Sequence, residues 1–340
     1  DEVLTAPPTP TIDALAGQGV LFRNAWSAPV CSPTRAAMLT GRHARRTGMG
    51  AVIRQDDEDY QLDHSEVTLP EALSVAGYSS AIAGKWHLAG YLSEDGGEHP
   101  LNAGFMVHRG SLTNLNASAG SARGYYDWIK FDQGESFISD TYATEDTVDD
   151  ALLMMDALPE PWFLMVSFNA AHSPFQPPPP RLVSCDCTVS GPTHQVYDAM
   201  VEAMDHEIGR LLVGLGDRSD HTTVMFLGDN GTPPEAVRWP RDDEESKGTM
   251  YEGGVNVPMI VVSPDTLAPG SESDALVHVT DVFSTALHAA GISITSLGAW
   301  VDGQSLLSYV DRTDFEGRRE YLYSEWFKPL GATAETIEGE

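Results

Sequence analysis

Short apolar runs, each ending in a cluster of polar residues, constrain this chain more than any other feature. Residues 20–26 lead into Cys31-Ser32-Pro33-Thr34-Arg35, and 79–83 into Gly84-Lys85-Trp86-His87. Residues 162–168 lead into Asn169-Ala170-Ala171-His172, and 222–227 into Gly228-Asp229-Asn230-Gly231. A fifth group, Lys247-Gly248-Thr249-Met250-Tyr251, precedes an apolar run at 258–262. Between the runs, helices are predicted over 10–17, 34–39, 67–76, 144–158, 194–215 and 279–290 from their apolar spacing. Alternating strands and helices specify an α/β sandwich with a mostly parallel central sheet. In such sheets binding groups gather at the carboxyl ends of strands. Converged there, these clusters supply three cations, two imidazoles, a carboxylate–amide pair and a thiol. That inventory suits an anionic substrate, a metal and a nucleophile.

Elsewhere the pattern weakens. Residues 91–140 are rich in Gly, Ser and Asn, lose periodicity, and predict an excursion over the surface. Residues 174–180 hold five prolines and predict an extended loop. A new strand is predicted at 321–326. No apolar run approaches the roughly 20 residues of a membrane span, and the acidic, proline-rich residues 1–10 do not read as a signal peptide.

Charge narrows the partners. Twenty Lys+Arg stand against 50 Asp+Glu, a net charge of −30. Such a field repels phosphate backbones and argues against nucleic acid. Acidic clusters at Asp56, Asp57, Glu58 and Asp59, and at 242–245, read as solvated faces. The three cysteines, Cys31, Cys185 and Cys187, are too few for a disulfide scaffold.

The stretch from Cys31 through Pro33 and Arg35 to Ala36-Ala37-Met38-Leu39-Thr40-Gly41-Arg42 resembles the signature of the type I sulfatases. In that family the cysteine of Cys-x-Pro-x-Arg is oxidised to formylglycine. Lys85 and His87, then His172, then Asp229 and Asn230, then Lys247 follow in the family's order, and Tyr197 to Asp205 resembles the helix before its Asp-Asn strand. The resemblance runs from about Thr9 to about Glu325. Each residue alone has a plainer reading. Cys31 would be a buried small hydrophobe, Arg42 a surface ion pair, and His87 and His172 satisfied core histidines. Asp229-Asn230-Gly231 would be a turn, and Lys247 a partner of Glu244 or Glu245. The shared order of five motifs lowers all of these together.

The resemblance implies an alkaline-phosphatase-like α/β/α fold and hydrolysis of sulfate esters by a formylglycine hydrate made from Cys31. It implies that calcium and Asp229 activate the attacking hydroxyl, with Asn230 a second metal ligand. Lys247 and His172 would serve the leaving oxygen, His87 would take the second hydroxyl's proton, and Arg35 and Lys85 would hold the hydrate. A maturation partner is implied, either a formylglycine-generating or an anaerobic sulfatase-maturating enzyme, as is a periplasmic or secreted location. Substrate contacts are assigned to His194, Trp239 and Tyr251, facing a small-molecule or carbohydrate sulfate ester.

One departure matters. The family opens with a strand ending in an Asp-Asp pair that supplies two calcium ligands, whereas this sequence begins at Asp1-Glu2. The expectation is a catalytic domain over 1–319 without that strand, and only the start of a small C-terminal subdomain over 320–340. It follows that the sheet should show a gap and the metal site too few ligands, unless Asp1 stands in. Three other activities stay open: a phosphonate monoester or phosphodiester hydrolase on the same fold, a catalytically impaired sulfate-ester-binding homologue, and a thiol enzyme using Cys31 unmodified.

Overall fold

The computed structural model describes residues 6–55, 57–58, 60–115, 124–184, 192–238, 240–298, 300–310, 317 and 319–327. In chain order the elements are α1 (Pro10–Gln18), β1 (Val20–Trp26), α2 (Cys31–Thr40), α3 (Ala44–Thr47), α4 (Leu69–Ser74) and β2 (Ser79–Gly84). Then come α5 (His99–Asn102), β3 (Val107–Gly110), β4 (Trp128–Asp132), β5 (Glu135–Ser139), α6 (Ala143–Ala157) and β6 (Trp162–Ser167). The last are α7 (Thr193–Leu215), β7 (Val224–Leu227), α8 (Glu252–Val255), β8 (Met259–Val262), β9 (Ser271–His278), α9 (Asp281–Ala289) and α10 (Leu307–Val310).

The strands form two sheets, ordered β7-β8-β1-β9 and β5-β4-β3-β2-β6. Period-2 alternation sets their faces. Ile82, Phe163 and Met165 point to one side and pack with Ala36 and Leu39 of α2, Leu73 of α4 and Phe283 of α9. Ala81, Ala83, Leu164 and Val166 point to the other and meet Ala151 and Met154 of α6 and Leu211 of α7. Helices thus cover both faces, as the alternation predicts.

Strand direction is mixed rather than mostly parallel. Among the described residues only β1–β9, β2–β3 and β2–β6 run parallel. The tight turn at Gln133 and Gly134, both at positive φ (51° and 87°), closes β4 and β5 into a hairpin. Residues 228–258, which include α8, lead from β7 to β8, and β8 runs antiparallel to both β7 and β1.

The stretch 91–140 is not a surface excursion. It supplies β3, β4 and β5, and its Tyr125 and Trp128 are buried. The β9 strand, also unforeseen, alternates exposed polar with half-buried residues along most of its length. No strand forms at 321–326; the segment is held by Ser324 Oγ donating to the Ser27 carbonyl at 2.9 Å, Arg45 N–H donating to Glu325 at 2.7 Å and Phe327 N–H donating to the Gly50 carbonyl at 3.0 Å. Among the described residues no helix is long and apolar enough to cross a membrane. The acidic run 242–245 is exposed, as expected of a solvated face. Asp1, Cys185, Cys187, Trp239 and residues 328–340 lie outside the described residues.

The free edges of β6 and β7 flank one side chain. Among the described residues each strand pairs on one side only, β6 with β2 and β7 with β8, and each is half-buried along most of its length. The Arg35 guanidinium lies between their carboxyl ends, bonded to Ser167 and to Asp229.

Candidate active site

Helix α2 begins at Cys31, three residues earlier than its apolar spacing predicts, so the thiol lies in the first turn rather than before it. The Thr34 hydroxyl stabilises that start by accepting from Ala28 N–H at 3.1 Å. At the far end Gly41 adopts φ 68° and its N–H caps the helix on the Ala37 carbonyl. A side chain there would press on Phe283 and Val301. The helix positive end favours negative charge at Cys31. Cys31 is 2 % exposed. Its Sγ lies 3.2 Å from Asn230 Oδ1 and 3.7 Å from Lys247 Nζ.

Arg35, one turn on, shares that helix face. Its Nη1 donates to the Lys85 carbonyl at 2.8 Å and to Ser167 Oγ at 2.6 Å, and Nη2 donates to Asp229 Oδ2 at 3.1 Å. Ser167 also accepts the Lys85 N–H on its carbonyl at 2.7 Å. That approach needs Gly84, at φ 97°, because a Cβ there would sit 2.1 Å from the Ser167 oxygen. Sequence reasoning missed Ser167; its signal was a serine closing an otherwise apolar strand beside a glycine.

Charge in the cluster is unbalanced. Burial pushes the Lys85 ammonium down to about 8, with Cys31 and Asp229 pulling upward and Arg35 and Lys247 downward. Burial opposes ionisation of Asp229, but Arg35, Lys85 and Lys247 outweigh it and hold the carboxyl well below the ordinary carboxylate range. Burial, then Lys85 and Lys247, push His172 down to about 3. Burial, then Lys85 and Arg35, hold His87 well below its ordinary value. Both imidazoles are therefore neutral near pH 7.

Their tautomers follow from their partners. His87 Nε2 lies 3.0 Å from the Ile53 carbonyl, so Nε2 carries the proton and the buried Nδ1, which has no partner, is a bare acceptor. His87 sits at φ 63°, left-handed backbone that costs a non-glycine residue of order 1–3 kcal/mol and is common at functional sites. His172 Nδ1 lies 2.7 Å from the Ser173 carbonyl, so its Nε2 is the free nitrogen.

Cys31, Arg35, Lys85, His87, His172, Asp229, Asn230 and Lys247 are thus linked by contact or by short-range electrostatics. Arg42 is not part of the cluster and pairs with Glu66 at 2.8 Å. His194 and Tyr251 make no contact with it; the His194 carbonyl accepts from Arg238, and Tyr251 is 52 % exposed beside α8.

A metal at Asp229 and Asn230 would find two oxygen donors of suitable hardness, where calcium takes six to eight. Among the described residues no cluster of three or more His, Cys, Asp or Glu could complete it. Asp229 is already engaged by Arg35. The described residues alone do not fit calcium.

Residues 4–292 match the family model named Sulfatase. The chain belongs to the sulfatase family. Human N-acetylgalactosamine-6-sulfatase (Homo sapiens) is 32% identical to this sulfatase-family chain over 329 residues, covering 88% of it and 60% of the human protein. Mouse arylsulfatase J (Mus musculus) is 30% identical over 296 residues, covering 83% of this chain and 48% of its own. The sulfatase-family chain thus spans about half to three fifths of these curated relatives. Among solved structures, Ps i-CgsB in complex with k-i-k-neocarrahexaose superimposes with a TM-score of 0.78 at 23% identity, over 91% of this chain and 72% of that one. That likeness shows the fold.

Proposed function

We propose that the protein hydrolyses sulfate esters with a formylglycine hydrate made from Cys31, releasing inorganic sulfate and an alcohol or phenol. The observation that carries the reading is the surplus of cations, Arg35, Lys85 and Lys247 against Asp229, around a cysteine at a helix start, beside a neutral His87 with a bare Nδ1. An aldehyde hydrate supplies two hydroxyls on one carbon, one to attack sulfur and one to expel sulfate, which a thiol cannot do. The orphaned Nδ1 of His87 suits the proton of the second hydroxyl. Arg35 and Lys85 hold anionic oxygens. Lys247 and His172 meet the leaving oxygen; His172 gains a proton there only once a bound anion offsets Lys85 and Lys247. Because every residue of α2 is buried, the maturation enzyme must reach Cys31 before that helix packs. A periplasmic or secreted setting and a sulfated carbohydrate or small-molecule substrate accord with this reading.

The test joins mass spectrometry of the peptide spanning Asn24–Arg35, for conversion of Cys31, to assays on an aryl sulfate, a phosphonate monoester and a phosphodiester. Preference for the phosphorus esters would replace this reading with hydrolysis at phosphorus.

Two further expectations follow from the charges. As pH rises through about 8 Lys85 loses its proton, and an anionic ester loses one of three cations. The kcat/KM profile, which reports the free enzyme, is expected to fall above about pH 8, or earlier once the Cys31 contribution is gone. A flat profile to pH 10 would separate Lys85 from the substrate's charge. The second expectation concerns calcium. Asp229 and Asn230 supply too few oxygens for a calcium shell among the described residues, so millimolar calcium should leave the unfolding midpoint of this 340-residue chain unmoved. A complete shell at a hundred times its Kd would add about 2.7 kcal/mol.

A further inference from the structure

We propose that Tyr125 is a positioning residue for His172, fixing the loop that carries it through one shared hydroxyl. The proposal rests on the reading that His172 serves the leaving oxygen. Tyr125 comes from the stretch whose composition suggested mere surface, yet it is fully buried. Its hydroxyl donates to two carbonyls of the His172 loop, Asn169 O at 2.8 Å and His172 O at 2.9 Å. A phenol has one proton, so the two acceptors share it. Burial and the neighbouring Tyr142 raise the Tyr125 pKa well above its ordinary value, so the hydroxyl stays a donor.

The ring is itself held. Tyr125 N–H donates to Gln176 Oε1 at 2.6 Å, and its carbonyl accepts from Ala143 N–H, at the start of α6, at 2.9 Å. Its ring packs on Tyr142 with centroids 5.6 Å apart. The next residue, Tyr126, donates to the Pro177 carbonyl at 2.7 Å. The loop is therefore pinned near both ends from one short segment.

The same buried layer reaches His87. Asn169 Nδ2 donates to Ser111 Oγ at 3.0 Å. The Ser111 carbonyl accepts from Trp86 N–H at 2.9 Å, and the Leu112 carbonyl from His87 N–H at 2.8 Å. Both imidazoles thus hang on one hydrogen-bonded frame, and the Tyr125 hydroxyl ties the His172 carbonyl to it, beside the loop's own bond from His172 N–H to the Asn169 carbonyl at 2.9 Å. Among the described residues, the His172 ring bonds only within Ser173.

Tyr125→Phe removes the hydroxyl and keeps the ring against Tyr142, so the variant is expected to fold. A purely structural loss would slow all substrates alike. Loss of His172 position instead scales with how much help the leaving oxygen needs. We therefore expect kcat to fall about tenfold or more on a simple sugar sulfate and less than about threefold on 4-nitrophenyl sulfate. In a His172→Ala background, Tyr125→Phe should add no further leaving-group dependence. Independently of turnover, amide hydrogen exchange across residues 169–176 should speed at least about tenfold in Tyr125→Phe.

Unchanged exchange in that loop overturns the proposal whatever the kinetics. Equal losses on both sulfates, or none, also overturn it. A His172→Ala variant with no leaving-group dependence removes both this proposal and the role assigned to His172. If the matured wild type cleaves neither ester, the proposed activity fails, and the exchange measurement still decides what Tyr125 holds.

Discussion

Cys31→Ser, put through the maturation system, is expected to release at most one equivalent of alcohol per protein and then stop. Cys31→Ala is expected to release none. A serine hydroxyl at the start of α2 would meet the same three cations and could take sulfate from an ester. It has no second hydroxyl, so the proton that His87 Nδ1 is placed to receive does not exist and the enzyme ester persists. Turnover should therefore fall at least about 10⁴-fold in both variants, comparable to removing the nucleophile of a serine hydrolase. The two variants differ in the burst, and the measurement is pre-steady-state release of 4-nitrophenol with mass spectrometry for a sulfated serine. Multiple turnovers by the serine variant would show that no hydrate is required. A burst from the alanine variant would place the nucleophile elsewhere.

The parts of the site legible in the sequence were those tied to strand ends. Cys31, Lys85, His172 and Asp229 each follow an apolar run within a few residues, and a strand's carboxyl end fixes where such residues go. The roles of Arg35 and Asp229 toward each other were not legible, because nothing in sequence spacing says that residues 194 apart share a hydrogen bond. The stretch 91–140 misled for a physical reason. Its strands β3, β4 and β5 are four, five and five residues long, so no window holds enough periodicity to register. Tyr125 is buried by what surrounds it rather than by its neighbours in sequence. The β9 strand failed to register because Glu272 and Asp274 face solvent at the sheet edge and small Ser271 and Ser273 occupy its half-buried face, where packing no longer selects large apolar residues.

The largest stability effect is expected away from the active site, at Lys130→Met. The Lys130 ammonium rises from β4 to meet two carboxylates one turn apart on α6, Asp146 and Asp150, the latter at 2.6 Å. Ser139 Oγ donates to Asp146 at 2.8 Å, and Arg109 of β3 approaches Asp150 at 3.5 Å. All three side chains of the central triad are 10 % exposed or less. Methionine fits the aliphatic volume but leaves two carboxylates buried together with only Arg109 and Ser139 nearby. Breaking one side of a buried ion pair costs about 3–5 kcal/mol, against less than about 1 kcal/mol for an exposed one. The sign of the pH dependence separates these cases. Burial already raises the Asp150 carboxyl above its ordinary value despite Lys130, and losing the ammonium raises it further. A group whose folded pKa is raised favours folding below its unfolded pKa and loses that advantage as pH rises through the folded value. The variant should therefore be weakest near neutral pH and approach the wild type as pH falls toward the ordinary carboxylate range, where Asp150 takes up a proton and no longer needs a cation. Urea unfolding at pH 7 and pH 5 gives the two numbers. A deficit below about 1 kcal/mol at pH 7, or one that does not shrink at pH 5, would mean that the hairpin of β4 and β5 is held on α6 by packing and not by this charge cluster.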